Sequence, residues 1–133
     1  MSTLPERVKI IIAGANGKFT DRTVHLWKIQ EVEKYYAMTD LFVLSTMYDP
    51  GALATLEALA TGTPVITTSY DGTSEFIKEG INGFVVERNE SALRSAILKA
   101  IGHSFDPFKI YESIKNLTWD NYVDCLISHL ETL

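Results

Sequence analysis

The chain has 133 residues, 46% of them hydrophobic and 22% charged, with 12 Lys plus Arg against 17 Asp plus Glu and a net charge of −5. That is ordinary globular composition for one domain, and with a pI near 5.1 and no two basic residues in succession it lacks the positive surface on which nucleic-acid binding relies. No apolar run approaches the roughly 20 residues of a membrane span, the opening MSTLPER has no signal-peptide core, and one cysteine with three scattered histidines argues against disulfides and zinc; the expectation is a cytoplasmic protein, peripheral at a membrane at most through another domain.

In chain order, residues 8–13 (VKIIIA), 23–27 (TVHLW), 41–45 (LFVLS), 64–68 (PVITT) and 83–86 (GFVV) read as strands. Three of these runs are apolar almost throughout, which suits strands covered on both faces. Residues 29–38, 52–61 and 73–79 read as helices, each joining one strand to the next. Such alternation predicts a parallel sheet with crossover helices. The helix over 52–61 is closed by Gly62, and Pro64 forbids its continuation. Three helical patterns follow the last strand, over 90–101, 107–115 and 119–133. In the last of them Trp119, Tyr122, Val123, Leu126, Ile127, Leu130 and Leu133 form a stripe that is expected to dock on an apolar surface. The fold class expected is α/β, a Rossmann-like three-layer domain with about five parallel strands. Strands and helices alternate over 1–86 and helices alone occupy 87–133.

Gly14-Ala-Asn-Gly17-Lys18-Phe-Thr20 follows the first strand, where open α/β sheets place ligands. The phosphate-loop pattern requires four residues between its glycines and Lys-Ser/Thr after the second, and the loop has neither. Gly14-x-x-Gly17 echoes the opening of short-chain dehydrogenases and nucleotide-sugar epimerases, and Tyr111-x-x-x-Lys115 echoes their catalytic pair, but Thr20 stands in place of the third glycine.

The segment Tyr48-Asp49-Pro50-Gly51-Ala52-Leu53-Ala54-Thr55-Leu56-Glu57-Ala58 carries more chemistry. A carboxylate precedes a helix N-terminus and another follows eight residues on, about 12 Å along the axis if the backbone between were helical throughout. Carboxylates accept hydrogen bonds from vicinal sugar hydroxyls, and unpaired N–H groups at a helix start suit a diphosphate. The plainer reading makes Asp49 a helix cap and Glu57 a solvated helix residue.

The stretch YDPGALATLEALATGTPVITTSYDGTSEFIKEGINGFVV resembles the donor-binding segment of the retaining glycosyltransferases of family 4, the group 1 glycosyltransferases of GT-B fold. The resemblance rests on Leu56-Glu57-Ala58, Gly62-Thr63-Pro64-Val65-Ile66, Gly72 with Glu75, and Asn82-Gly83-Phe84-Val85-Val86. Upstream, residues 32–45 match that family's Tyr-x-x-Ala-Asp-x-Phe run, and Leu117-Thr118-Trp119 resembles the start of its last helix. The resemblance implies the C-terminal, donor-binding half of a hexosyltransferase, N-terminally truncated and lacking its first strand and helix. It implies that Asp49, in place of the family's first Glu, holds the hydroxyls of the transferred sugar, and that Glu57 holds the ribose. The N–H groups of Gly51, Ala52 and Leu53, with the Thr55 hydroxyl, would hold the diphosphate, and the base would lie near Trp27, Lys28 and Ile29. No cofactor and no metal are expected beyond the nucleoside-diphosphate sugar itself.

Two further departures are Asp71, in place of the first of two glycines, and the absence before Val8 of the Arg and Lys that clamp the diphosphate, for which Lys18 and Arg22 read as solvated loop residues rather than substitutes. The implied partners are an acceptor domain, in cis or in trans, and a second copy associating through an exposed sheet edge. Transfer by the isolated chain is not expected. A degenerate copy kept as an interaction module and a nicotinamide-dependent epimerase or dehydrogenase remain as alternatives.

Overall fold

The structure, a computed structural model, describes residues 4–132. Five strands, β1 (Ile10–Ala13), β2 (Thr23–Leu26), β3 (Phe42–Leu44), β4 (Val65–Thr68) and β5 (Gly83–Val86), are joined and followed by five helices. These are α1 (Val32–Met38), α2 (Leu53–Ala60), α3 (Glu90–Ile101), α4 (Pro107–Glu112) and α5 (Trp119–Glu131). All strand pairs are parallel, as the alternation predicts, but the strands form two sheets, β1-β2 and β3-β4-β5. Of the five, only β4 is buried throughout; β1, despite its apolar run, leaves Ile10 37% exposed because it pairs on one side only among the described residues.

The three layers are built around β4. Successive residues of a strand face opposite ways, so Val65 packs with Ala58 and Leu59 of α2 and Ile110 of α4, while Ile66 packs with Phe84 of β5 and Ala96 and Ala100 of α3. Leu59 and Ile66 are fully buried, each contributing roughly 1.5 to 3 kcal/mol of apolar transfer. Gly83 belongs here because a Cβ would stand 1.9 Å from the Val65 carbonyl oxygen. The last of the predicted joining helices, over 73–79, is instead a five-residue 3-10 turn, Gly72–Phe76. Asn82 explains why it stops: its side chain accepts from the Lys78 N–H at 2.7 Å and donates to the Phe76 carbonyl and the Ser113 hydroxyl, folding the segment onto the end of α4.

Two expectations are corrected. The stripe on α5 does not dock: none of its residues is buried, Trp119 is 80% exposed, and Leu133 lies outside the described residues. Arg22 is not a solvated loop residue, because its guanidinium donates to the carbonyls of Leu4, Pro5 and Val8 and fastens the segment before β1 to the start of β2.

Candidate functional site

The chain leaves β3 through a turn that is stitched to the exit of β4. The Asp49 N–H donates to the Tyr70 carbonyl at 3.1 Å and the Gly72 N–H to the Asp49 carbonyl at 2.8 Å, so that Asp49 and Asp71 form a parallel bridge. Gly72 is required for that approach, since a Cβ there would lie 2.1 Å from the Pro50 carbonyl oxygen. Half-buried Asp49 turns one carboxylate oxygen onto the Gly51 N–H at 3.1 Å. Asp49 is therefore not the helix cap of the plainer reading; it closes the turn that delivers the chain to α2.

The helix begins with Ala52 as its N-cap, without a side-chain cap. Among the described residues the N–H groups of Ala52, Leu53 and Ala54 have no acceptor, while that of Thr55 reaches the Ala52 carbonyl at 3.0 Å. Orphan donors at the positive end of a helix suit an anion, and of these three residues Leu53 is exposed, Ala54 half-buried and Ala52 buried. This shifts the expected set by one residue: Gly51 is occupied by Asp49, and Ala54, which the sequence reading passed over, takes its place. The Thr55 hydroxyl is a second correction. It is buried and donates to Asp71 at 2.8 Å, which removes it from any diphosphate.

Glu57 stands one turn into α2, exposed, with one carboxylate oxygen accepting from the Tyr36 hydroxyl at 3.2 Å. Tyr36 is held from α1 by burial and by an edge-on contact with the Phe42 ring, centroids 5.3 Å apart. Burial first, then the negative charge of Glu57 and the bond donated to it, push the Tyr36 phenol up to about 12, so it remains a donor. The other Glu57 oxygen accepts no hydrogen bond among the described residues. Because Asp49 to Ala52 are not helical, the rise of 1.5 Å per residue applies only from Leu53 to Glu57, about 6 Å rather than the full 12 Å.

Trp27 is 66% exposed just beyond β2, followed by exposed Lys28 and half-buried Ile29; no hydrogen bond or ring contact brings them to Asp49 or Glu57 among the described residues. Gly17 has a packing reason rather than a phosphate, since a Cβ there would meet the His25 ring at 2.3 Å. Tyr111 and Lys115 lie with α4, whose Pro107 packs on Gly62 at the end of α2 away from Asp49, and Lys115 pairs with Glu112. Among the described residues no group of three His, Cys, Asp or Glu side chains is placed to hold a metal, and no helix is long and apolar enough to cross a membrane.

Comparison with known proteins bears on this geometry. The family described as "Glycosyl transferases group 1" matches residues 6–116. An uncharacterized glycosyltransferase of Methanocaldococcus jannaschii is 29% identical over 96 residues, covering 68% of this chain and 25% of that protein. A GDP-mannose-dependent alpha-mannosyltransferase of Corynebacterium glutamicum is 32% identical over 105 residues, covering 75% of this chain and 25% of that protein. The chain thus spans about a quarter of the length of these curated relatives. Among solved structures, a sucrose-phosphate synthase from Thermosynechococcus elongatus superposes with a TM-score of 0.68 at 25% identity, over 84% of this chain and 31% of that one.

Proposed function

The chain belongs to the group 1 glycosyl transferases of GT-B fold, and from that premise we propose that it binds a nucleoside-diphosphate hexose for a retaining transfer whose acceptor side another domain supplies. The observation that carries the reading is the start of α2: three N–H groups without acceptors among the described residues, at buried Ala52, exposed Leu53 and half-buried Ala54, lying in the chain between Asp49 and Glu57. The diphosphate sits on the N–H groups, where the helix end supplies positive charge, and the reading needs no metal ion there. Glu57, steadied by Tyr36, accepts from the ribose hydroxyls, and the half-buried carboxylate of Asp49 accepts from the hexose. The base rests near Trp27, Lys28 and Ile29, where an exposed indole offers a stacking face. One relative is GDP-mannose-dependent by name, which supports this donor class without choosing the base or the sugar.

Calorimetry with GDP-mannose, UDP-glucose and ADP-glucose beside GDP, UDP and ADP tests the reading. At least one pair is expected to bind, and Asp49→Asn is expected to weaken the sugar form by about tenfold while sparing the bare diphosphate. Absence of binding across the panel, or an equal loss for both forms, contradicts it. No transfer is expected from this chain alone, because alignment of donor and acceptor contributes roughly 7 to 11 kcal/mol to such a barrier; turnover by the purified chain would refute that part.

A second reading, a glycosyltransferase-like module kept for protein interaction, is favoured by the exposed stripe on α5, from Trp119 to Leu130. Light scattering separates the two: self-association with no donor binding supports the second, and a monomer that binds a donor excludes it.

A further inference from the structure

Asp71 is a fully buried carboxylate to which the donor site as described gives no part. One of its oxygens accepts from the Thr55 hydroxyl and the Thr67 hydroxyl, both at 2.8 Å; the other accepts from the Thr73 N–H at 2.9 Å and the Thr73 hydroxyl at 2.6 Å. These donors come from α2, β4 and the 3-10 turn, and all are neutral. A buried carboxylate without a cation is costly unless its lone pairs are filled, and here four donors fill them. Burial opposes ionisation of Asp71, but the bonds from Thr73, Thr55 and Thr67 outweigh it and hold the carboxyl below its ordinary value of 3.8.

The place of this network matters more than its strength. Through Thr55 the Asp71 side chain grips the first turn of α2, whose Leu53 and Ala54 N–H groups lack acceptors among the described residues. Through its backbone the same residue lies in the bridge to Asp49, flanked by the bonds from Asp49 to Tyr70 and from Gly72 to Asp49. We propose that Asp71 is the positioning residue of the donor site, a buried anchor that locks the Asp49 turn and the start of α2 into one unit so that a nucleoside-diphosphate sugar meets both in register. The inference rests on the donor-site reading above and assigns Asp71 no contact with the ligand.

A double-mutant cycle tests it, read by calorimetry with whichever of GDP-mannose, UDP-glucose and ADP-glucose binds the wild type. In the wild type Asp49→Asn costs about tenfold; in an Asp71→Ala background the same substitution is expected to cost less than about threefold, because the carboxylate no longer arrives in place. Asp71→Asn is expected to restore most of the coupling, since its carbonyl still accepts from Thr73 and its amide can donate to the Thr55 and Thr67 hydroxyls turned to accept. Full cost of Asp49→Asn in both backgrounds overturns the positioning role while the donor reading stands; no cost in the wild type removes the donor reading itself.

Amide hydrogen exchange supplies a readout without ligand. The Asp49 and Gly72 amides are expected to exchange at least about tenfold faster in Asp71→Ala than in the wild type, with those of Ala96 and Ala100 unchanged. Thr55→Val, which deletes one donor at nearly constant volume, is expected to move the same two amides in the same direction, and it serves if Asp71→Ala does not fold. Unchanged protection at Asp49 and Gly72 in either variant overturns the proposal.

Discussion

Replacing Glu57 by Gln removes a charge and leaves the shape. The side chain is exposed, and its one bond is the 3.2 Å contact from the Tyr36 hydroxyl, which a glutamine carbonyl can still accept. The effect on the fold is therefore expected to be small, about 0.5 to 1 kcal/mol for exchanging a charged acceptor for a neutral one. Binding is affected differently. With the carbonyl turned to Tyr36, the position left to the ribose becomes an NH2 donor where an anionic acceptor stood, and a charge-assisted bond contributes about 1.5 to 3 kcal/mol. Nucleotide affinity should fall about ten- to a hundredfold. Because Glu57 is assigned to the ribose, the loss should be the same for a nucleotide sugar and for its bare diphosphate, unlike that of Asp49→Asn. Titration calorimetry on both ligands reads this, with circular dichroism confirming the fold. Wild-type affinity of Glu57→Gln for both ligands would make Glu57 the solvated helix residue of the plainer reading and remove the ribose contact.

Gly72→Ala should destabilise by about 1 to 3 kcal/mol through overpacking, because its Cβ would meet the Pro50 carbonyl oxygen at 2.1 Å and part the Asp49 turn from β4; an unchanged urea midpoint contradicts this. Tyr36 binds its proton more tightly folded than unfolded, so its contribution to stability is complete below pH 10 and is lost as the pH rises toward about 12. Tyr36→Phe should lack that alkaline loss in denaturation series, and an identical pH profile for variant and wild type contradicts the tighter proton binding of Tyr36 in the fold.

Local signals placed α3 to the residue and α2, expected over 52–61, to within one residue at each end, since it runs Leu53–Ala60. Asn89 caps Ala92 and Gly102 follows Ile101, so the periodic run over 90–101 is the helix seen. The expected start of α1 at residue 29 was too early by three positions, because the chain passes through a left-handed conformation at Glu31 before Val32. The candidate site was legible as a pair of carboxylates about a helix start, but its hydrogen bonding was not. Thr55 looked available to a phosphate until its partner proved to be Asp71, sixteen residues on, and Gly51 looked available until Asp49 claimed its N–H. Tyr36 stood in the recognised Tyr-x-x-Ala-Asp run, yet nothing local joins it to Glu57, 21 residues away. Side-chain bonds of that span depend on how α1, α2 and β4 pack, and no residue pattern records them.

The central claim, that a nucleoside diphosphate rests on the start of α2, is tested most directly by mapping amide chemical shifts of the labelled chain during titration with GDP, UDP and ADP. The account predicts that the largest changes fall on Ala52, Leu53 and Ala54, whose N–H groups lack acceptors, with smaller ones at Glu57. Changes that leave 52–54 still and cluster instead in the loop of Gly14 to Thr20 or about Tyr111 and Lys115 would contradict it.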